Sequence, residues 1–242
     1  MLTVATGNRA VAEAVREARP SVIAAYPITP QTEIVEQLSN FVLSEELRAA
    51  FIPVESEHSA MAACIGASAT GVRTFTATSS HGLVYMCEML HWAAGARLPI
   101  VMANVNRALG PGWNIWAEHT DSLSMRDTGW LQVYVGSVQE AYDATLMAFR
   151  IAEHENVLLP VMVNLDGFTL SHSMQALETA PVADFIPPVK IPHAIDTANP
   201  GGYGTLTPPT EYFKFRWDIE RSMRDAQQVI RETEEAFAGR FG

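Results

Sequence analysis

The chain has 242 residues, 48% hydrophobic and 18% charged, with a formal net charge of −11. A chain of this length buries enough surface to fold without disulfide or metal staples, and its acidic balance, with no basic run, excludes nucleic acid and anionic membrane surfaces as partners. The two cysteines, Cys64 and Cys87, lie in helical apolar patterns far from any CxxC spacing; they suit buried thiols in a reducing cytoplasm and are too few for an iron–sulfur cluster, which takes about four thiolates.

No charged region followed by an apolar core opens the chain, so no signal peptide is expected, and no apolar run reaches the ~20 residues of a membrane span. Asn8 is placed to cap a first helix whose apolar face is Ala10, Val11, Ala14, Val15 and Ala18, and which Pro20 stops. Ser21 to Tyr26 reads as a buried strand. It feeds the turn Tyr26-Pro27-Ile28-Thr29-Pro30, with Thr29 expected at the N-cap of the next helix and Pro30 at its first position. Ile34, Val35 and Leu38 give that helix its buried face. Phe51 to Val54 is a short strand leading through Glu55-Ser56-Glu57-His58 into a helix of small residues that Gly71 ends.

Arg73 to Thr78 is the third strand, and Ser79-Ser80-His81-Gly82 turns it into a helix that runs to about Gly95. Pro99 to Val105 is apolar on both faces, as a central parallel strand is. The long Gly-, Pro- and Trp-rich segment from Asn106 to about Thr120 marks a functional loop. Leu131 to Val135 is a strand, Ser137-Val138-Gln139-Glu140 is a capping box for a helix to about Glu155, and Val157 to Leu165 is the last clear strand. Strands and helices thus alternate through residue 168, which predicts an α/β fold with a doubly wound, mostly parallel sheet over residues 1–168. Beyond it the pattern fails, and the prolines at 181, 187, 188, 192, 200, 208 and 209 imply an extended arm. A helix resumes at Glu211, with Ile219, Met223, Ala226, Ile230, Thr233 and Phe237 as a seam for the parent domain or a partner. Residues 169–242 are therefore read as a Pro-rich arm plus a C-terminal helix.

Several common chemistries are absent from the sequence. The first strand is not followed by GxGxxG, there is no GxxxxGK[ST] and no GxSxG, and the histidines show no metal-binding spacing. What stands in their place is a series of short motifs: Tyr26-Pro27-Ile28-Thr29-Pro30, Glu55-Ser56-Glu57, Thr78-Ser79-Ser80-His81-Gly82-Leu83, Asn106-Arg107, Glu118-His119-Thr120-Asp121, Arg126-Asp127-Thr128-Gly129 and Asp166-Gly167-Phe168. In this order they resemble the 2-oxoacid:ferredoxin oxidoreductases, and in particular the N-terminal, pyrimidine-binding domain of the α subunit of enzymes like pyruvate:ferredoxin oxidoreductase. The resemblance spans essentially the whole chain. The family's whole α subunit continues into a second α/β domain, so a split subunit or a fragment is implied.

The resemblance implies a thiamine diphosphate-dependent oxidative decarboxylation of a 2-oxoacid to an acyl-CoA and CO2, with pyruvate as the default substrate. A branched-chain or aryl 2-oxoacid is the alternative. The cofactor would be shared with a β-type subunit, whose GDG…N motif, absent here, holds the diphosphate and Mg2+. A ferredoxin-like subunit would carry [4Fe-4S] clusters, and a γ-type subunit would complete the complex. Glu57 matches the glutamate that hydrogen-bonds N1′ of the aminopyrimidine and is the catalytic candidate. Thr29 and Arg107 match residues that meet the substrate's carboxylate or carbonyl, and Pro27, Ile28, Ser80 and His81 complete the cofactor-side set. At position 81 the family more often has glutamine, which leaves that contact open.

Each of these residues also has a plainer reading. Glu57 would complement a helix dipole, Thr29 would only cap, and Arg107 would be a solvated loop arginine. Trp113 and Trp116 are either a wall for the substrate or an interface anchor. Asp121, Arg126 and Asp127 read as an ion-pair set stabilising the loop. A non-catalytic scaffold subunit with the same fold is the rival from another class, as is, more weakly, a transketolase-like enzyme without iron–sulfur partners.

Overall fold

Six short strands lie side by side and all parallel: β2 (Val22–Ala25), β3 (Ala50–Pro53), β4 (Thr74–Thr78), β5 (Val101–Asn106), β6 (Leu131–Val135) and β7 (Val161–Asp166). Their spatial order is β3-β2-β4-β5-β7-β6. The structure, a computed structural model, describes residues 1–182, 184–204 and 206–241. From β2 the chain steps outward to β3, then returns across β2 to start β4. The reversal leaves a crevice between the carboxyl ends of β2 and β4, where open α/β sheets bind their ligands.

Helices cover both faces of the sheet. On one side α1 (Gly7–Ala18), α2 (Thr32–Leu43) and α7 (Val138–Ala152) enclose a core into which β5 sends Val101, Ala103 and Val105 and β7 sends Val161, Val163 and Leu165. On the other, α3 (Glu57–Ala69), α4 (Ser80–Tyr85) and α5 (Cys87–Gly95) enclose a core that takes Met102 and Met162 from the same two strands. The two-residue alternation of a strand accounts for this sorting. It has a further result: along β5 the second face reads Met102, Asn104, Asn106, so it turns polar toward the strand's carboxyl end. Asn104 lies in register with Asn164 of β7, and its Nδ2 donates to the Asn164 Oδ1 at 3.1 Å.

Local signals explain most element boundaries, with some corrections. Thr6, not Asn8, caps α1, its side chain accepting from Arg9 N at 3.1 Å. Asn8 is instead wholly buried and donates to the Pro30 carbonyl at 2.9 Å. Ser137 caps α7 as expected, but Glu140 reaches back to Gly136 N rather than to the cap itself. Thr29 and Pro30 do not open α2. Gln31 N donates to the Ile28 carbonyl at 2.8 Å, which closes a tight turn first and delays the helix to Thr32. The helix expected from Ser80 to Gly95 is two, α4 and α5, divided at Met86.

Two strands escaped the sequence pattern. β1 (Leu2–Ala5) and β8 (Gln175–Glu178) pair antiparallel as a separate ribbon. Both are four residues long and mostly exposed, so neither carries the apolar run that marks the central strands. β8 falls in the proline-free start of the stretch expected to be irregular. The short α6 (Thr120–Leu123) follows the long loop, and α8 (Pro209–Phe241) lies along α7 with Ile219, Ser222, Ala226, Val229 and Thr233 buried. Ile230 and Phe237 of the expected seam pack half-buried against the main core, and Val229, outside the seam, is buried against Val157 and Leu159.

Candidate functional site

Every motif singled out from the sequence maps to the carboxyl end of a strand in the sheet or to the loop after it, except Arg126-Asp127-Thr128-Gly129, which leads from α6 into the amino end of β6. Glu57 is the first residue of α3, after β3, with Ser56 capping the helix by accepting from Ser59 N at 3.2 Å. It is only 8% exposed, and no described residue donates a hydrogen bond to its carboxylate. Gly82 of α4 makes room for it. A Cβ on Gly82 would stand 2.7 Å from Glu57 Oε1 and 2.6 Å from Thr78 Oγ1. Thr78 Oγ1 and Ser79 Oγ, at the end of β4, are themselves buried without a partner. Buried polar groups are nearly always paired, so a nearly buried carboxylate without a donor at the end of a strand is the mark of a ligand's place.

Arg107 follows β5 and is 7% exposed. Its Nη1 donates to the Thr29 carbonyl at 2.6 Å, while its Nε is buried without a partner. Burial pushes the guanidinium down from its usual range, and the charges of Asp121 and Glu57 hold it up. An arginine stays cationic under such opposing pulls. Nη1 is thus spent on fixing Thr29, Nη2 faces His81 Nδ1 at 3.4 Å, and Nε has no partner among the described residues. The Trp113 ring lies under the guanidinium at 5.0 Å and is 49% exposed, forming a cation–π cover over it. Trp116, 58% exposed, stacks instead on Phe168 at 5.1 Å.

The Ser80–His81 turn is the strained part of the site. Ser80 has φ +50 and is wholly buried, a conformation that costs about 1–3 kcal/mol in a residue other than glycine and persists only when its surroundings enforce it. Here the Ser80 hydroxyl donates to the Ala108 carbonyl at 2.7 Å. Gly110 N donates to His81 Nε2 at 3.1 Å. In the neutral ring that leaves the proton on Nδ1, facing Ser80 Oγ at 3.3 Å. His81 therefore braces the long loop, and its Nδ1 also lies 3.4 Å from Arg107 Nη2. Pro27 is exposed and Ile28 half-buried on the turn after β2, beside Thr29, which is exposed. The turn after β2 therefore meets Arg107 through the Thr29 carbonyl, and the charges of Glu57 and Arg107 bear on each other.

The family model described as pyruvate flavodoxin/ferredoxin oxidoreductase, thiamine diphosphate-binding, matches residues 13–235. The chain belongs to this family. Ketoisovalerate oxidoreductase subunit VorA of Pyrococcus abyssi is 53% identical over 243 residues, covering 99% of this chain and 61% of the relative. The pyruvate synthase subunit PorA of Methanocaldococcus jannaschii is 52% identical over 243 residues, covering 98% of this chain and 62% of the relative. The chain thus spans about three-fifths of the length of the curated relatives it matches. Among solved structures, 2-oxoglutarate:ferredoxin oxidoreductase from Magnetococcus marinus shares the fold, with a TM-score of 0.78 at 22% identity over 94% of this chain and 45% of that one.

Two residues of this family member matter to the site in ways the sequence did not suggest. Gln31, wholly buried, donates to the carbonyls of Ala77 (2.6 Å) and Tyr26 (3.3 Å), and so pins the turn after β2 to the end of β4. Asp121 was expected to pair with Arg126 and Asp127. It does not: it is wholly buried, while Arg126 and Asp127 meet only each other, in solvent, at 3.8 Å. Asp121 is surrounded by N–H donors from the site loops. The only hint of it was its place in the Glu118-His119-Thr120-Asp121 motif. Among the described residues no group of three or more His, Cys, Asp or Glu is placed to hold a metal ion, and no helix is long and apolar enough to cross a membrane.

Proposed function

We propose that this chain provides the pyrimidine side of a thiamine diphosphate site in a 2-oxoacid:ferredoxin oxidoreductase, acting as its α-type part in the oxidative decarboxylation of a 2-oxoacid to acyl-CoA and CO2. The observation that carries this reading is Glu57: a buried carboxylate that no described residue satisfies, kept clear by Gly82, with the unpaired hydroxyls of Thr78 and Ser79 at the adjoining strand end. These residues fit an aminopyrimidine, whose ring nitrogens and amino group offer a donor to the acid and partners to the hydroxyls. When bound, thiamine diphosphate supplies the nucleophilic carbon that attacks the oxoacid carbonyl and takes up its electrons.

The roles of this chain's own residues follow. Glu57 holds or shares a proton at the pyrimidine nitrogen. Pro27, Ile28, Ser80 and His81 form the walls and floor around the ring. Arg107 offers its unpartnered Nε to the substrate carboxylate, and Thr29, tied to Arg107 through its carbonyl, offers its hydroxyl to the same oxygens. Trp113 shields the pair from water, which strengthens it. The remaining parts are assigned to partners: a β-type subunit for the diphosphate and Mg2+, a ferredoxin-like subunit with [4Fe-4S] clusters, a γ-type subunit, and a coenzyme A site. Residues 1–168 supply the site, and 169–242 form the arm and helix that brace it. A cytoplasmic setting follows from such oxygen-sensitive electron relays and from the unpaired thiols Cys64 and Cys87.

Relatives named for pyruvate and for ketoisovalerate are equally similar to this chain. Pyruvate is the first substrate to test. A branched-chain or aryl acid is the second, the relative named for ketoisovalerate favouring the branched-chain one. The deciding measurement uses the complete complex with its partner subunits and follows 2-oxoacid-dependent dye reduction. Glu57→Gln keeps size and polarity but cannot exchange a proton, so turnover should fall about a hundredfold or more. Full turnover in that variant would instead support a scaffold subunit.

A further inference from the structure

Asp121 is a wholly buried carboxylate that forms no ion pair within 4 Å among the described residues. Its oxygens are nonetheless well served. Oδ2 accepts from Ser80 N at 3.0 Å and from Arg107 N at 3.1 Å. Oδ1 accepts from Asn106 Nδ2 at 2.8 Å and from Ser122 N at 2.7 Å. Asn104 Nδ2 approaches Oδ2 at the outer limit, 3.5 Å. A single oxygen therefore joins the backbone of the strained turn after β4 to the backbone of the turn after β5. The first of these carries the residues proposed to face the cofactor, and the second carries the arginine proposed to face the substrate.

We propose that Asp121 is a positioning residue for the reaction, a proposal that rests on the reading of Arg107 as the carboxylate binder. It fixes the spacing of the cofactor-side turn and the substrate-side arginine as one unit. The choice of an anion matters, because a carboxylate accepts from two backbone N–H groups at one oxygen, and hydrogen bonds to a charged acceptor are about twice as strong as neutral ones. An amide there must turn a donor toward one pair of N–H groups, so it cannot hold both oxygens' partners. Ser80, at φ +50, would then be free to leave its strained conformation, and Arg107 would move with it. Asp121 also places negative charge near the guanidinium and holds it cationic. Misplacement of this kind lowers productive substrate binding more than it lowers folding, since small displacements at a reacting centre carry large rate penalties.

The test is a double-mutant cycle in the complete complex, reading kcat and KM for pyruvate and for ketoisovalerate together with thermal melting and subunit assembly. Asp121→Asn should raise KM for the 2-oxoacid by about tenfold or more with assembly retained. Arg107→Ala should raise it by at least as much, and the double variant should be no worse than Arg107→Ala alone, because Asp121 acts through that residue. If Arg107→Ala leaves KM unchanged, the carboxylate reading itself fails. If Arg107→Ala raises KM but Asp121→Asn does not, or the two effects simply multiply, the positioning role is overturned. Should Asp121→Asn not assemble, Asn106→Ala decides: it removes one donor from Oδ1 and leaves the carboxylate, and it should raise KM in the same direction by a smaller factor. Loss of assembly in both variants would make Asp121 part of the scaffold and overturn the proposal.

Discussion

Gly82 and Glu57 meet so closely that neither can be understood alone. Adding one methyl at Gly82 would press it to 2.7 Å from the Glu57 oxygen and 2.8 Å from its Cγ, with Thr78 Oγ1 closing the other side at 2.6 Å. Glu57 is the movable party, because Thr78 belongs to a central strand and α4 is packed beneath. Gly82→Ala should therefore displace the carboxylate, reduce turnover by about tenfold or more, and, because the clash with Thr78 remains, lower stability by about 1–3 kcal/mol. Kinetics beside thermal melting check it, and wild-type turnover would show that Glu57 does not need its position. The placement of Glu57, Thr29 and Arg107 at strand ends was legible in the sequence because each sits in a short motif after an apolar run. Asp121 was not, because its partners are mostly backbone N–H groups, which every residue has and no sequence pattern displays. The N-cap assigned to Thr29 failed for a related reason: a turn closed by Gln31 N competes with the helix for the same residues.

At the scale of elements, one arginine fastens the amino-terminal end of the sheet, opposite the site. Arg73, just before β4, makes a two-pronged pair with Glu153 at the end of α7, both contacts at 2.6 Å. It also donates to the carbonyls of Ala18 at the end of α1 and Pro187 in the arm. Burial pushes the Glu153 carboxyl up from its usual range, and Arg73 is what draws it back. Arg73→Met should destabilise the fold by about 3–5 kcal/mol, because it leaves a nearly buried charge unpaired, and Glu153→Met in the same chain should recover much of that loss. Urea unfolding of the three variants checks it; equal stability of the single and double variants would place the cost in the carbonyl contacts instead. The central strands and the large helices were predictable from apolar runs and caps. The β1–β8 ribbon was not, since its four-residue strands are held by backbone pairing rather than by a buried face.

For the molecule as a whole, the clearest pH response lies on the alkaline side. The Cys64 thiol is fully buried between α3 and the sheet, and burial pushes it up to about 12. Burial likewise pushes the Tyr142 hydroxyl up to about 12. Both groups keep their protons in the folded chain at pH values where the unfolded chain has lost them. Their contribution to stability is thus complete below about pH 9, near the free thiol's value, and is lost as the pH rises toward 12. Folding free energy from urea titrations should fall by up to about 1.4 kcal/mol per pH unit per group through that range, less for Tyr142, which is nearer solvent. Cys64→Ala should flatten the fall, and an unchanged slope would count against it. The molecule also leaves Tyr212, Phe213, Phe215 and Trp217 exposed over the first two turns of α8, beyond the part that packs on the domain.

The fit of Glu57 against Gly82 also bears on how such chains can diverge. While the acid is needed, position 82 tolerates no side chain, and the two residues are bound to one another through the space they share. Thr78 shares that space, its Oγ1 2.6 Å from the same point, so loss of the acid alone does not release position 82. A lineage that kept this fold only as a scaffold should therefore accumulate changes at 57, 78 and 82 together, and a larger residue at 82 would reveal the loss of chemistry even where a glutamate happened to survive.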